Sequence, residues 1–213
     1  MKYDTLLFDV DGTVMETAPG VIKGFKYALS QMGLSFPDVP ERFFMGPPLE
    51  YSFREFVKLP EERIAEAIRL YRVYYNATGI MECEVYEGLR ELLGRLNELG
   101  VKCLVASSKP EPFVNRILKQ FGLDGCFFFA AGSDLGGRWG EKHEVIARAL
   151  EEGEVTDISR CLMVGDRSYD IIGAKKMGMD SCGVLWGYGT REEFEESGAE
   201  YIAQKPMEVV DIL

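Results

Sequence analysis

Short apolar runs recur along the chain, each followed by polar or glycine-rich residues. The first, Tyr3–Phe8, ends in the carboxylates Asp9 and Asp11. Others are VKCLVA (101–106), CFFFA (126–130), RCLMVG (160–165) and DSCGVLWG (180–187). Runs this short suit strands, and unbroken apolar runs suit strands covered on both faces. Between them the apolar positions take up helical spacing. Residues 86–99 carry Leu89, Leu92, Leu93 and Leu96 before Gly100, and residues 110–121 begin at Pro110 and stop before Gly122. Residues 141–152 and 168–178 also end at or near a glycine, where helix C-termini prefer one. Strands alternating with helices predict right-handed crossovers and a mostly parallel sheet, an α/β fold in three layers.

From about residue 16 to 80 the alternation stops, and the pattern is helical with no convincing strand. Ile64, Ile68, Tyr71 and Tyr75 fall at helical spacing, and residues 37–48 are a proline-rich interruption. This predicts a small all-helical insert after the first strand, over 16–82, within a core formed by 1–15 and 83–213. The aromatic stripe reads as the insert's own core. At the C-terminus, YIAQ and PMEVVDIL read as a last strand and a closing helix.

Composition narrows the class. The chain has 213 residues, 46% hydrophobic and 28% charged, enough for a sizeable packed core and too apolar for global disorder. A formal charge of −11 argues against a nucleic-acid polymer or an anionic membrane as the main partner. Any positive potential for an anionic ligand must therefore be made locally. The cysteines at 83, 103, 126, 161 and 182 show no C-x-x-C spacing and read as small core hydrophobes in a reduced, cytoplasmic setting. Asp9 and Asp11 break the first apolar run, so no signal peptide is expected. No apolar stretch approaches the roughly 20 residues of a membrane span. A monomer or homodimer is the default assembly.

In open α/β sheets ligands bind beyond the carboxyl ends of the strands, so the polar residues there carry the chemistry. Asp9-Val10-Asp11-Gly12-Thr13 follow the first strand; Ser107, Ser108 and Lys109 follow VKCLVA; Asp166 and Asp170 follow RCLMVG; Lys142 opens the helix after CFFFA. The types are complementary. Asp9 and Asp166 can hold a hard cation such as Mg²⁺, which favours carboxylates, water and substrate phosphate. A carboxylate can act as a nucleophile and form an aspartyl-phosphate. Asp11 can protonate a leaving oxygen and later deprotonate water. Ser107 and Lys142 can donate to phosphoryl oxygens as charge shifts.

Taken together, DVDGT, VASS, the Lys142 helix and GDRSYD resemble, in order, the four signature motifs of the haloacid dehalogenase-type hydrolase superfamily, over essentially the whole chain. The resemblance implies a Rossmann-like core with a helical cap and Mg²⁺ as cofactor. It implies Asp9 as nucleophile and metal ligand, and Asp11 as general acid/base with its backbone carbonyl on the metal. Ser107 would bind the phosphoryl oxygens and Lys142 balance their charge. Asp166 would bind the metal, with Asp170 beside it or bound through water. Asp11 favours a phosphatase over a dehalogenase, which has no alkoxide to protonate. FFMGPPLEYSFREF, SSKPEPF and VGDRSYDIIGAKKMGMDSCGVLWGYG look similar to phosphoglycolate phosphatases and, more closely, to a bacterial 5′-nucleotidase-like branch. Glu16 and Ser107-Ser108 depart mildly from the commoner Asp and Thr-Asn or Thr-Ser.

The expected activity is thus hydrolysis of a small phosphorylated metabolite, with a sugar-phosphate mutase or a non-catalytic binding protein as alternatives. Ser108, and Gly46 and Arg54 in the insert with Phe43 and Phe44, are candidates to face substrate. Arg138 and Arg167 are candidates to contact the leaving group. His143 reads as an exposed helix residue, and Lys109, like Lys102, Lys119, Lys175 and Lys176, as an ordinary surface lysine.

Overall fold

A computed structural model describes residues 1–134 and 139–213; Arg138, one of the two arginines considered for the leaving group, lies outside the described residues. The chain divides into two compact units, Met1–Met15 with Val85–Leu213, and Glu16–Glu84. In chain order, β1 (Thr5–Phe8) and β2 (Met15–Glu16) precede α1 (Ala18–Gln31), α2 (Leu49–Glu55) and α3 (Glu61–Ala77). Then come β3 (Glu84–Val85), α4 (Leu89–Glu98), β4 (Lys102–Pro110), α5 (Glu111–Gln120), β5 (Phe129–Ser133) and α6 (Lys142–Glu152). The chain ends with β6 (Cys161–Gly165), α7 (Ser168–Lys176), β7 (Asp180–Val184), α8 (Arg191–Ser197) and β8 (Tyr201–Ala203).

Six strands form one parallel sheet in the order β5-β4-β1-β6-β7-β8, while β2 and β3 pair as a separate two-residue ribbon. The order makes β1 the switch point, with β4 and β5 on one side and β6 to β8 on the other, where a crevice opens in such sheets. Phe8 stands opposite Val105 on β4 and Val164 on β6. That register sets Asp9, the residue after Phe8, level with Ala106 within β4 and Gly165 at the end of β6.

The two-residue period of a strand splits the core between the faces of the sheet. Leu7, Leu104 and Met163 pack with Val145, Ile146 and Ala149 of α6 and Ala174 of α7, all buried. Phe8 faces the other way, its ring centroid 6.1 Å from that of Phe127. Each of the larger side chains so buried contributes about 1.5–3 kcal/mol relative to exposure. Of the five cysteines, Cys126 is half-buried and the rest are buried, and all are free thiols. Burial pushes the Cys103 and Cys182 thiols up to about 12, so both stay protonated and act as apolar filler.

The second unit has an aromatic core of its own. The Phe25 ring lies 4.7, 4.8 and 5.1 Å from those of Phe44, Phe53 and Tyr71. On α3 the buried stripe is Ile64, Ala67, Tyr71 and Tyr75, with Ile68 only half-buried.

Some element boundaries differ from the sequence expectation. CFFFA does not start as strand: Asp124–Cys126 is a 3-10 turn and β5 begins at Phe129. β5 joins β4 with Phe129 opposite Leu104, and Phe128 before it is 60% exposed, so hydrophobicity there outruns the pairing. The closing helix expected at PMEVVDIL is present, as a 3-10 helix over Pro206–Ile212. Among the described residues no helix is long and apolar enough to cross a membrane.

Candidate active site

Asp9 continues β1 by one rung, its N–H donating to the Val164 carbonyl at 3.0 Å. The chain then turns sharply, with the Val10 carbonyl accepting from the amides of Thr13, Val14 and Met15. Gly12 is required in that turn on two counts. Its φ is +83°, and a Cβ there would fall 2.0 Å from Asp166 Oδ2. The turn and the end of β6 therefore approach as closely as backbone and carboxylate can.

Lys142 is the first residue of α6, and its Nζ meets three acceptors. It lies 2.8 Å from Asp9 Oδ1 and 2.7 Å from Asp170 Oδ1, and donates to the Ala106 carbonyl at 2.9 Å. Two of its N–H bonds go to Asp9 and the Ala106 carbonyl, and Asp170 is held as an ion pair. Burial alone would lower the Lys142 pKa, but Asp170 and Asp9 outweigh it and raise it, so the side chain is a fixed cation. Asp170 sits in the first turn of α7, where its Oδ2 accepts the Arg167 N–H at 3.0 Å. Gly165 makes room for it, since a Cβ there would lie 2.2 Å from the Asp170 Cγ. Asp166 is fully buried, with Oδ2 accepting the Tyr188 N–H at 2.9 Å. Its Oδ1 is buried and has no hydrogen-bond partner among the described residues.

Asp9, Asp166 and Asp170 each direct a carboxylate oxygen to one spot, all within 4.8 Å of one another. Three carboxylates against one ammonium leave two negative charges in a buried place. The protein registers that excess. Burial, with Asp170 and Asp11 adding and Lys142 opposing, pushes the Asp9 carboxyl up to about 6. Burial, then Asp170 and Asp9, holds Asp166 well above the usual carboxylate range, against the Tyr188 amide and Arg167. A hard divalent cation with a preference for oxygen fits this donor set, its charge and the orphaned Asp166 oxygen. Asp9, Asp166 and Asp170 are the side chains that would hold it. The Asp11 side chain stands outside the carboxylate group.

The remaining candidates fall as follows. Ser107 is buried at the end of β4, and its Oγ accepts the Lys109 N–H at 3.3 Å. Ser108 is exposed, its carbonyl accepting from Ser133 Oγ at 2.9 Å. Gly46 and Arg54 belong to the unit Glu16–Glu84, and the Arg54 guanidinium pairs with Glu50 and Glu61, each at 2.8 Å. His143 is partly exposed, its Nδ1 3.3 Å from Glu141 Oε2. Arg167 turns its Nε to Glu193 Oε1 at 3.0 Å, so that guanidinium is engaged by α8 rather than held out for a leaving group.

One expectation is overturned. Lys109 is not a surface lysine: its Nζ lies 2.9 Å from Asp11 Oδ2 and its side chain is only 7% exposed. Two further contributors were not singled out from sequence. Glu193 accepts the Ser168 N–H at 2.7 Å as well as pairing with Arg167, and so steadies the loop behind Asp166. The loop after β7 brings the Tyr188 amide to Asp166 and the Trp186 Nε1–H to the Thr13 carbonyl at 2.9 Å. Its only sequence signal is the Gly-Tyr-Gly at 187–189, a sign of close backbone approach.

Comparison with known proteins bears on what this arrangement serves. The chain is 36% identical to a 5′-nucleotidase of Pseudomonas aeruginosa, over 91% of this chain and 87% of the relative. It is 35% identical to the tyrosine-protein kinase PtkA of Mycobacterium tuberculosis, over 92% of this chain and 67% of that protein. The crystal structure of a predicted phosphatase from Clostridium acetobutylicum superposes with a TM-score of 0.90 at 38% identity, covering 100% of this chain and 98% of that one. Residues 6–184 match the family described as haloacid dehalogenase-like hydrolase. On that match, and among relatives that include named phosphatases, the chain belongs to the haloacid dehalogenase-like hydrolase family.

Proposed function

We propose that this phosphatase is a Mg²⁺-dependent phosphomonoesterase that works on a small phosphorylated metabolite through an aspartyl-phosphate on Asp9. The observation that carries the reading is the buried group of Asp9, Asp166 and Asp170 around the single Lys142 ammonium. It carries two negative charges in excess of neutrality, beside the free end of a strand at the sheet's switch point. When bound there, Mg²⁺ supplies charge neutralisation between an anionic nucleophile and an anionic phosphate.

The chain's own residues divide the rest. Asp9 Oδ attacks phosphorus while the bond to the leaving oxygen breaks, and Asp11 gives that oxygen its proton. Water then attacks the phosphorus, Asp11 takes its proton, and the Asp9 carboxylate is regenerated. Ser107 donates to the phosphoryl oxygens. Lys142 holds Asp9 in place and offsets charge on the group in transfer. Asp11 would also lend its backbone carbonyl to the metal. The helical unit, with Gly46 and Arg54, is where selectivity would reside, and Ser108 is a further substrate contact. A nucleoside 5′-monophosphate is the first substrate to try, on the strength of the 5′-nucleotidase relative, and phosphoglycolate the second. A monomer or homodimer is the proposed working form.

The test is phosphate release from 4-nitrophenyl phosphate and from these two esters, with and without Mg²⁺. Wild type should require the metal, and Asp9→Asn should lose activity by at least about a thousandfold, as expected when a nucleophile is removed. Turnover that persists in chelator, or in Asp9→Asn, would overturn the assignment. Loss of the phosphoryl group to an acceptor other than water would redirect it to a transferase.

A further inference from the structure

Lys109 is a second buried cation at the same strand ends, and nothing in the proposed phosphoryl chemistry yet uses it. It follows Ser107 and Ser108 where β4 slips register against β5, between Ser107 and Pro110. Lys109 lies inside that irregular stretch of β4. Its Nζ lies 2.9 Å from Asp11 Oδ2, with the lysine side chain 7% exposed and that of Asp11 29% exposed. The other carboxylate oxygen, Asp11 Oδ1, is buried and has no hydrogen-bond partner among the described residues. One oxygen is therefore clamped and the other left open.

From this asymmetry we infer that Lys109 is the positioning residue for Asp11. By holding Oδ2, it fixes Oδ1 as the atom that exchanges a proton with the leaving oxygen and then with water. The inference rests on the phosphatase reading and goes beyond it. An aspartate carboxyl has a broad torsional preference about its last bond, and no hydrogen bond among the described residues holds its other oxygen. Proton transfer needs donor and acceptor within hydrogen-bond reach in a defined direction, and a displacement of about 1 Å can cost on the order of a hundredfold in rate. In the step itself, the phosphorus–leaving-oxygen bond breaks, its electron pair stays on that oxygen, the Asp11 proton joins it, and Asp9 forms the new bond to phosphorus.

Dependence on the leaving group separates this role from a purely structural one. An alkyl phosphate needs a proton as its oxygen departs; 2,4-dinitrophenyl phosphate, which leaves as a stable phenolate, does not. Single-turnover cleavage of both esters with Mg²⁺ is measured for wild type, Lys109→Met and Lys109→Gln, with melting temperatures as a check on folding. Cleavage of the alkyl ester should fall about tenfold or more, with the dinitrophenyl ester losing about threefold or less. Lys109→Arg should recover most of the alkyl rate, and Lys109→Met should add little in an Asp11→Asn background, since residues acting through one another are not additive. Should Lys109→Met not fold, Lys109→Gln carries the same comparison. Equal losses on the two esters, or no loss on the alkyl ester, overturn the role of Lys109. A wild-type protein that cleaves neither ester overturns the phosphatase reading instead.

Discussion

Lys142 is where stability and proposed chemistry meet in one side chain. Its side chain is 6% exposed, and the ammonium contacts Asp9, Asp170 and the Ala106 carbonyl. Removing one partner of a buried ion pair leaves the others uncompensated, at a cost of about 3–5 kcal/mol. Lys142→Met should therefore lower the urea-unfolding free energy of the metal-free protein by that order. Adding Asp170→Asn should return part of the loss, because a stranded charge goes with it. A Lys142→Met protein as stable as wild type would mean that the pairing contributes nothing. Lys142 was legible in the sequence because it opens an apolar-periodic helix in register with three other motifs. Lys109 was not, because its partner Asp11 is nearly a hundred positions away in the chain, and no local pattern marks a lysine that turns inward near the end of a strand.

At the scale of elements, the position of Asp166 and Asp170 depends on α8. That helix is seven residues long, Arg191–Ser197, and Thr190 caps it by accepting the Glu193 N–H at 3.2 Å. Helices so short are held by tertiary contacts rather than by propensity, and Glu193 supplies one by taking the Ser168 N–H and the Arg167 Nε. Burial disfavours the Glu193 anion, but the Ser168 amide and Arg167 outweigh it and hold the carboxyl below the usual range. A depressed carboxyl stabilises the fold above its unfolded pKa, near 4.3, and loses that contribution as pH falls through the lower folded value. Glu193→Gln should cost about 1–2 kcal/mol at pH 7. Its urea midpoint should converge on that of wild type as the pH drops below about 4; a gap that stays constant with pH would show that charge plays no part. The core strands and helices that Glu193 braces could be read from apolar periodicity. β2 and β3 could not, since each is two residues long and offers no period to detect.

For the whole molecule, the formal charge of −11 has an interior counterpart in the uncompensated carboxylates of the strand ends. Asp9, pushed up to about 6, and Asp166, held well above the usual range, have folded pKa values above their unfolded ones. The sign is opposite to that of Glu193. Such groups weaken the metal-free fold at neutral and alkaline pH, and that penalty is relieved as pH falls through about 6. A bound dication should relieve it without acid. At a hundred times its dissociation constant, Mg²⁺ adds about 2.7 kcal/mol to stability, which for a chain this size raises the melting temperature by roughly 5–10 °C. Asp166→Asn should act in two directions at once. It should raise the melting temperature of the metal-free protein, because a strained buried charge is gone, and it should abolish most of the Mg²⁺-induced rise, because a ligand is gone. Calorimetry at pH 7.5 with and without Mg²⁺ reads both effects independently of catalysis. An Asp166→Asn protein that melts lower without metal, or keeps the full Mg²⁺ shift, would mean that the carboxylates at the end of the sheet are not held apart for a cation.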